Sequence, residues 1–293
     1  MKRKFLFLIN PISGGKSKDR LRSLIQDKFP ESRICDTDKT GEYKEVASQV
    51  VNDKITDVII CGGDGSVNQA VSAMRFLDVN FGIVPMGSGN GLAFAAGIAR
   101  SPEKALDIIL KGKITKVDAF KINDHFSCML SGVGFDADVA HTFARQKTRG
   151  LKTYIVITIK TFLSAKAYPF KITSGKRSIN VKALFISIAN SNQFGNNFKI
   201  APKASLSDGL LDIVVVRKMN KLHSMAKMSA QLLMGRLTEF GCDDFYNGIH
   251  YFQTEELQIE NPEGASLHID GEPAKTEKVI EIKVIKGAFN LIC

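Results

Sequence analysis

Short, uninterrupted apolar runs alternate with amphipathic stretches through the first third of the chain. Phe5–Ile9, Asp57–Cys61 and Phe81–Pro85 read as buried strands. Between and after them, Ser17–Lys28 puts Leu21, Leu24 and Ile25 on one helical face, and Glu42–Val51 reads as a second helix. Ser66–Met74 carries Val67, Ala70, Val71 and Met74 at helical spacing, and Asn90–Ile98 and Pro102–Lys111 continue the pattern. Continuous apolar strands separated by such helices predict a three-layer α/β domain with a mostly parallel sheet.

The rhythm changes after Lys113. Val117–Ile122, Phe126–Ser131, Phe170–Thr173, Ala183–Ala189, Leu211–Val216, Gln253–Glu260, Ser266–Ile269 and Val279–Val284 are short strand-like runs joined by Gly, Asn, Asp and Pro. That pattern predicts an antiparallel β-sandwich. Two helices interrupt it, Lys152–Lys166 and Lys221–Leu237. The first is rich in β-branched residues and reads as helix on its length and charge spacing. The resulting division is an α/β domain over 1–121 and a β-sandwich domain over 122–286. No low-complexity linker separates them, so close packing around a cleft is expected.

Composition narrows the class. No apolar segment is long enough to cross a bilayer as a helix. The basic start and the run Phe5–Ile9 stop at Asn10-Pro11, too short for a signal-peptide core, so the run reads as a first strand. The five cysteines are scattered without CxxC spacing, which points to neither a disulfide framework nor a zinc site and suits a reducing cytoplasm. A net charge of +10 favours anionic partners, whether nucleotide, nucleic acid or membrane. No basic run is interleaved with aromatics as a nucleic-acid stacking platform would be, so no nucleic-acid partner is expected.

Candidate chemistry sits on the turns. Val58–Cys61 runs into Gly62-Gly63-Asp64-Gly65-Ser66 and then into a helix. Glycines let backbone approach an anion, and the first helical N–H groups point at it, so this turn predicts phosphate binding with Ser66 as cap or donor. Asp64 would repel a phosphate unless it meets a cation or accepts a proton. Asn10-Pro11-Ile12-Ser13-Gly14-Gly15-Lys16-Ser17 and Pro85-Met86-Gly87-Ser88-Gly89-Asn90-Gly91 also join strands to helices. The first lacks the leading glycine of a P-loop, and neither gives a dinucleotide fingerprint. Three such turns at strand C-termini converge on one ligand site. In the second half, Asp270-Gly271-Glu272 puts two carboxylates on a turn. Such carboxylates suit proton acceptance from an attacking hydroxyl, although Asp-Gly is equally an ordinary hairpin turn. Asp208-Gly209-Leu210-Leu211-Asp212 is a second acidic turn, suited to Mg2+ or to a plain hairpin. His268 reads as a strand residue.

Taken together, Asn10-Pro11…Ser13-Gly14, Gly62–Asn68, Pro85–Asn90, Ile200-Ala201-Pro202…Asp208–Asp212 and Asp270-Gly271-Glu272 resemble the diacylglycerol kinase catalytic-domain family, which includes bacterial lipid kinases and sphingosine kinases. The resemblance implies an ATP-dependent kinase acting on a hydroxyl of a membrane lipid. ATP would lie between the two domains, and the last segment, 287–293, would return to the first. Nucleotide contacts would fall on Asn10, Pro11, Ile12, Ser13, Gly14, Thr40, Gly62, Gly63, Asp64, Gly65, Ser66, Val67, Asn68, Gln69, Gly87, Ser88 and Asn90. Glu272, supported by Asp270, would be the base, with Asp64 the alternative favoured in the sphingosine kinase branch. Mg2+ would be carried by Asp208 and the carbonyls of Ser205 and Leu210. The chain departs from the family at Gln69, where glutamate is usual, at Asn196-Asn197, where glycines are common, and at Gly91, often acidic. A lipid substrate implies peripheral contact with an anionic membrane surface from the cytoplasm, with 145–152 and 217–227 as candidate patches, and admits a homodimer. The closest rival is an NAD kinase-like phosphotransferase, followed by a non-catalytic nucleotide-binding protein.

Overall fold

A computed structural model describes residues 2–13, 18–37, 43–146, 150–192, 201, 203–217 and 248–293. Gly14, Thr40, the Gly15-Lys16-Ser17 turn, the helix expected at 221–237 and most of 217–227 lie outside these residues. The chain divides into two compact units, Met1–Asp118 with Lys286–Cys293, and Ala119–Ile285. The first is α/β with a parallel sheet and the second an antiparallel sandwich, the predicted fold class.

In the first unit, β1 (Phe5–Ile9) lies parallel between β2 (Arg33–Asp36) and β3 (Asp57–Gly62), and β3 pairs in parallel with β4 (Asn80–Pro85). Phe7, Leu8, Ile9, Val58, Ile59, Phe81 and Ile83 are at most 2% exposed, as strands covered on both faces require. The helices are α1 (Lys18–Lys28), α2 (Lys44–Asn52), α3 (Asp64–Met74), α4 (Gly91–Ala95) and α5 (Pro102–Lys111). Strand order β2-β1-β3-β4 makes the chain leave β1 in one direction to reach β2 and lie on the other side in β3. The carboxyl ends of β1 and β3 therefore flank a topological switch point, where open α/β sheets bind ligands.

At the opposite end of these strands, buried Asp57 receives Arg3 Nε at 3.1 Å and Arg3 Nη2 at 2.8 Å, with Thr56 Oγ1 at 2.6 Å. Arg3 also donates to the carbonyl of Ile109, so one guanidinium ties β1, β3 and α5. Replacing Asp57 with Ala should cost about 3 kcal/mol in urea unfolding, because the arginine is left without its bidentate partner. An unchanged midpoint would show the pair to be dispensable.

In the second unit, β7 (Leu130–Gly134), β8 (Tyr168–Ser174) and β10 (Leu211–Arg217) all pair antiparallel with β9 (Arg177–Ala189). β8 also pairs with β12 (Glu256–Glu260), which pairs with β15 (Val279–Ile292), while β10 pairs with β11 (Ile249–Thr254). β5 (Ile114–Ile122) pairs with β6 (His125–Ser127), and β13 (Leu267–Ile269) joins β7 to β14 (Glu272–Ala274). Phe120, Ile172, Ile186, Ile188, Ile213, Ile259 and Ile280 fill its core.

The sequence pattern merged some elements and missed others. The run 126–131 is two strands, because the amides of Cys128 and Met129 turn to the Asp270 carboxylate and leave no ladder. The run 253–260 breaks at Thr254, whose hydroxyl pairs locally with Glu256. The helix expected over 90–98 shortens to α4, because Asn90 and Gly97 both take positive φ. Helix α6 (Phe135–Ala144) and strand β2 had no legible periodicity. The 152–166 region is helical, as α7 (Leu151–Ser164).

Candidate active site

The turns after β1, β3 and β4 are held to one another. Asn10 N–H donates to the Cys61 carbonyl at 3.0 Å, and its amide Nδ2 donates to Ser66 Oγ at 2.7 Å. The other side of that amide, Oδ1, accepts from Ile12 N–H at 3.0 Å and sets the turn. Met86 N–H reaches the Gly62 carbonyl at 2.9 Å. Asn90, in left-handed conformation with φ 56° and buried, folds its side chain back on Gly87 through two bonds of 2.8 and 2.7 Å.

Glycine is required where these turns meet. A Cβ on Gly87 would stand 2.6 Å from the Gly63 Cα, and one on Gly63 would stand 3.0 Å from the Gly87 Cα. A Cβ on Gly62 would lie 2.7 Å from Ser66 Oγ. Gly65, by contrast, has open space at that position. Helix α3 starts directly after Gly63, with Asp64 in its first turn. Its first N–H groups are the ones an α-helix leaves without internal partners, and they carry the positive end of the helix dipole. The arrangement can hold an anion against backbone rather than side chains.

The predicted nucleotide residues divide by exposure. Ile12, Ser88 and Gln69 are exposed, and Pro11, Ser13, Asp64, Gly65 and Asn68 half-buried. Val67 points into the core at 2% exposure, and its amide bonds the Gly63 carbonyl, so it supports the turn. Asn10 and Ser66 tie the turns after β1 and β3 together, and Asn90 braces its own turn through Gly87. Alanine at Gly87 should destabilise the fold by about 1–3 kcal/mol because backbone must move, whereas alanine at Gly65 should change it by less than about 1 kcal/mol. Thermal melts of the two variants check this, and equal effects would contradict the close approach.

In the second unit, Asp270 and Gly271 have φ of 49° and 83° and connect the paired residues Ile269 and Glu272. Positive φ at both positions of a two-residue loop is the type I′ hairpin that Asp-Gly favours. The Asp270 carboxylate does more than turn the chain. It accepts from Ser127 Oγ at 2.6 Å and from the amides of Cys128, Met129 and Leu130 at 3.0–3.2 Å. Burial pushes its carboxyl above the ordinary value, against the pull of those four donors. Asp270 is thereby bound to the protein, while Glu272, next but one, is exposed.

Sequence reasoning missed the pair beneath this turn. His268 and Asp136, both buried, meet at 3.3 Å through Nε2, and His268 Nδ1 accepts from Gly271 N–H at 3.2 Å. With Nδ1 as acceptor, Nε2 carries the proton toward Asp136. Gly132 leaves room for the pair, since a Cβ there would meet Asp136 Oδ2 at 1.9 Å. The signal was present only as an apolar strand interrupted by histidine, which is common in cores.

At the second acidic turn, Asp208 Oδ1 accepts from Leu210 N–H at 3.0 Å, and Gln253 Nε2 reaches both Asp208 and Asp212. Asp212 is fully buried and takes the Tyr251 hydroxyl on Oδ1, while Oδ2 is buried with no partner among the described residues. An orphaned carboxylate oxygen beside exposed Asp208 and the Ser205 and Leu210 segment fits an oxygen-seeking cation such as Mg2+. Among the described residues no three His, Cys, Asp or Glu cluster for a metal, so carbonyls would have to complete the set. Burial pushes the Asp212 carboxyl up to about 7, Gln253 opposing and Asp208 adding to the rise. In the unfolded chain this group loses its proton near the ordinary value, so stability should fall as pH rises from about 4 to 7 and then level. Asp212→Asn should remove that slope in melts without divalent cations. A gain in melting temperature that is the same at about pH 5 and pH 8 would contradict the shift.

Comparison with known proteins matches residues 4–122 to the diacylglycerol kinase catalytic domain and 130–293 to the YegS C-terminal NAD kinase beta sandwich-like domain. The chain is 28% identical to a "Probable lipid kinase YegS-like" of Shewanella frigidimarina, over 87% of this chain and 82% of that one. It is 24% identical to a "Diacylglycerol kinase" of Bacillus subtilis, over 90% and 88%. A crystal structure of a diacylglycerol kinase from Bacillus anthracis str. Sterne superposes with a TM-score of 0.76 at 20% identity, covering 99% of this chain and 96% of that one, which supports the fold. The chain belongs to the diacylglycerol kinase catalytic-domain family, with a YegS-type C-terminal sandwich.

Proposed function

We propose that this protein is an ATP-dependent lipid kinase that transfers a phosphoryl group to a hydroxyl of a membrane lipid of the diacylglycerol or sphingoid type. The observation that carries this reading is the joining of three strand-end turns at the switch point, with Gly63 against Gly87 and the α3 amides beyond them. Such a surface holds phosphates by backbone donors and helix dipole. Family membership supplies the lipid acceptor.

In the reaction the lipid hydroxyl oxygen attacks the γ-phosphorus, the bond from that phosphorus to the β-bridging oxygen breaks, and ADP leaves. Catalysis of such a transfer is mostly positioning and charge neutralisation. The hydroxyl proton goes to Glu272, the exposed carboxylate of the turn. Asp270 holds that turn through its four donors, and the His268–Asp136 pair steadies it from below. Mg2+ bound with ATP would neutralise the phosphate oxygens. Asp64, at the start of α3, is the residue on the nucleotide side able to hold that ion. Asp208, with the Ser205 and Leu210 carbonyls, would hold a second, structural ion.

Labelled ATP offered with diacylglycerol or a sphingoid base in detergent micelles, and separately with NAD, tests the reading. Label should enter lipid; label in NADP alone would overturn it. Glu272→Ala and Asp64→Ala should each lower turnover by about 10²–10⁴-fold with the circular dichroism unchanged. Wild-type turnover in both would remove the mechanism.

A further inference from the structure

The chain's charge is unevenly spread. From Val139 to Ser207 there are twelve Lys or Arg and no Asp or Glu, more positive charge than the net +10 of the whole chain. Helix α7 lies within this stretch, and its outward face is apolar. Val156, Ile159 and Leu163 are 50%, 50% and 57% exposed. Their spacing of three and four residues puts them in one stripe, because residues so separated share a helical face. Lys152 heads that stripe one turn before Val156 and Lys160 lies on its margin, both exposed, and Lys166 follows the helix, exposed and over the Tyr168 ring. The opposite face is used inside the unit, where Ile157 and Phe162 pack on Phe135 and Val139 of α6. Lys152 and Lys160 also line a groove of about 390 Å³ against Thr142 of α6 and Gln146 just beyond it.

A surface helix of a protein in water normally turns its charged residues outward. Here the outward face is aliphatic with lysines beside it, and the ion pairs found among the described residues include none of those three lysines. That is the design of a helix lying in a lipid interface, with apolar side chains in the acyl boundary and lysines at the headgroups. A protein partner would have to present an apolar groove ringed by acids. A bilayer containing anionic lipid supplies both features without further assumption.

We infer that α7 is a membrane-docking helix, which inserts Val156, Ile159 and Leu163 into the surface of an anionic bilayer while Lys152, Lys160 and Lys166 contact lipid phosphates. The inference rests on the lipid-kinase reading for its purpose, but not for its test. Docking by α7 would bring the enzyme to a substrate that does not leave the membrane.

The test is cosedimentation of the full chain with vesicles of phosphatidylcholine alone and with about one-third phosphatidylglycerol. Wild type should bind the anionic vesicles at low salt and the neutral ones far less. Ile159→Glu with Leu163→Glu should lower partitioning at least tenfold. Lys152→Gln and Lys160→Gln should each lower it about fivefold, the equivalent of about 1 kcal/mol per basic residue near such a surface. All variants should keep wild-type turnover in detergent micelles, where docking is not needed. Wild type that ignores anionic vesicles, or a double glutamate variant that binds like wild type, would overturn the inference. So would light scattering that finds a wild-type dimer dissociated by Ile159→Glu, since a second copy would then cover the stripe. Vesicle binding lost in the variants while neither wild type nor any variant phosphorylates lipid would support docking and sink the kinase reading alone.

Discussion

The backbones of Gly63 and Gly87 press together so closely that neither turn has room for a side chain at the contact. This one constraint orders the strand-end turns of the first unit. It requires glycine at both positions, and it draws the turn after β4 against the turn after β3. With the turn after β1 tied in by Asn10 and Ser66, it leaves the start of α3 as a rim of backbone donors. The parallel sheet provides the geometry for the contact, since β1, β3 and β4 end at the same level in register. The sheet in turn depends on the continuous apolar strands that allow burial on both faces.

A second pinned turn organises the sandwich unit. Asp270 adopts a left-handed backbone conformation at the tip of a hairpin and spends its carboxylate on the 127–130 loop. The loop gives up strand hydrogen bonds to reach it, which is why β6 and β7 are separate strands. His268 and Asp136 add a buried link to the same turn through Gly271. Glu272, the proposed base, is thus an exposed carboxylate on a rigid mount, which holds a proton acceptor in place better than a loose loop would.

Much of this was legible in the sequence because local physics and tertiary structure agree. Phe5–Ile9 and the run before Gly62 are strands under any reading of their apolar continuity, and the glycine turn after β3 declares its strand–turn–helix conformation. The contact between Gly63 and Gly87 was not legible, because it joins residues with no local relationship. Asp136 and His268 were hidden for the same reason, being 132 residues apart in the chain. The role of Asp270 was half legible: Asp-Gly announced a hairpin, but only the fold reveals that its carboxylate caps a distant loop. Helix α7 is helical despite its β-branched residues, as its length and charge spacing predict, while the side that faces outward is decided by α6, which packs on Ile157 and Phe162 and which no local pattern declares.

The central claim is that the joined turns and the first amides of α3 receive the phosphates of ATP. A ¹H–¹⁵N NMR titration of the full chain with Mg-ATP tests it most directly. The account predicts that the amide resonances of Gly63, Asp64, Gly65, Ser66 and Gly87 shift together, and that the Gly87→Ala variant loses this response. Saturable ATP binding that leaves those resonances in place would contradict it.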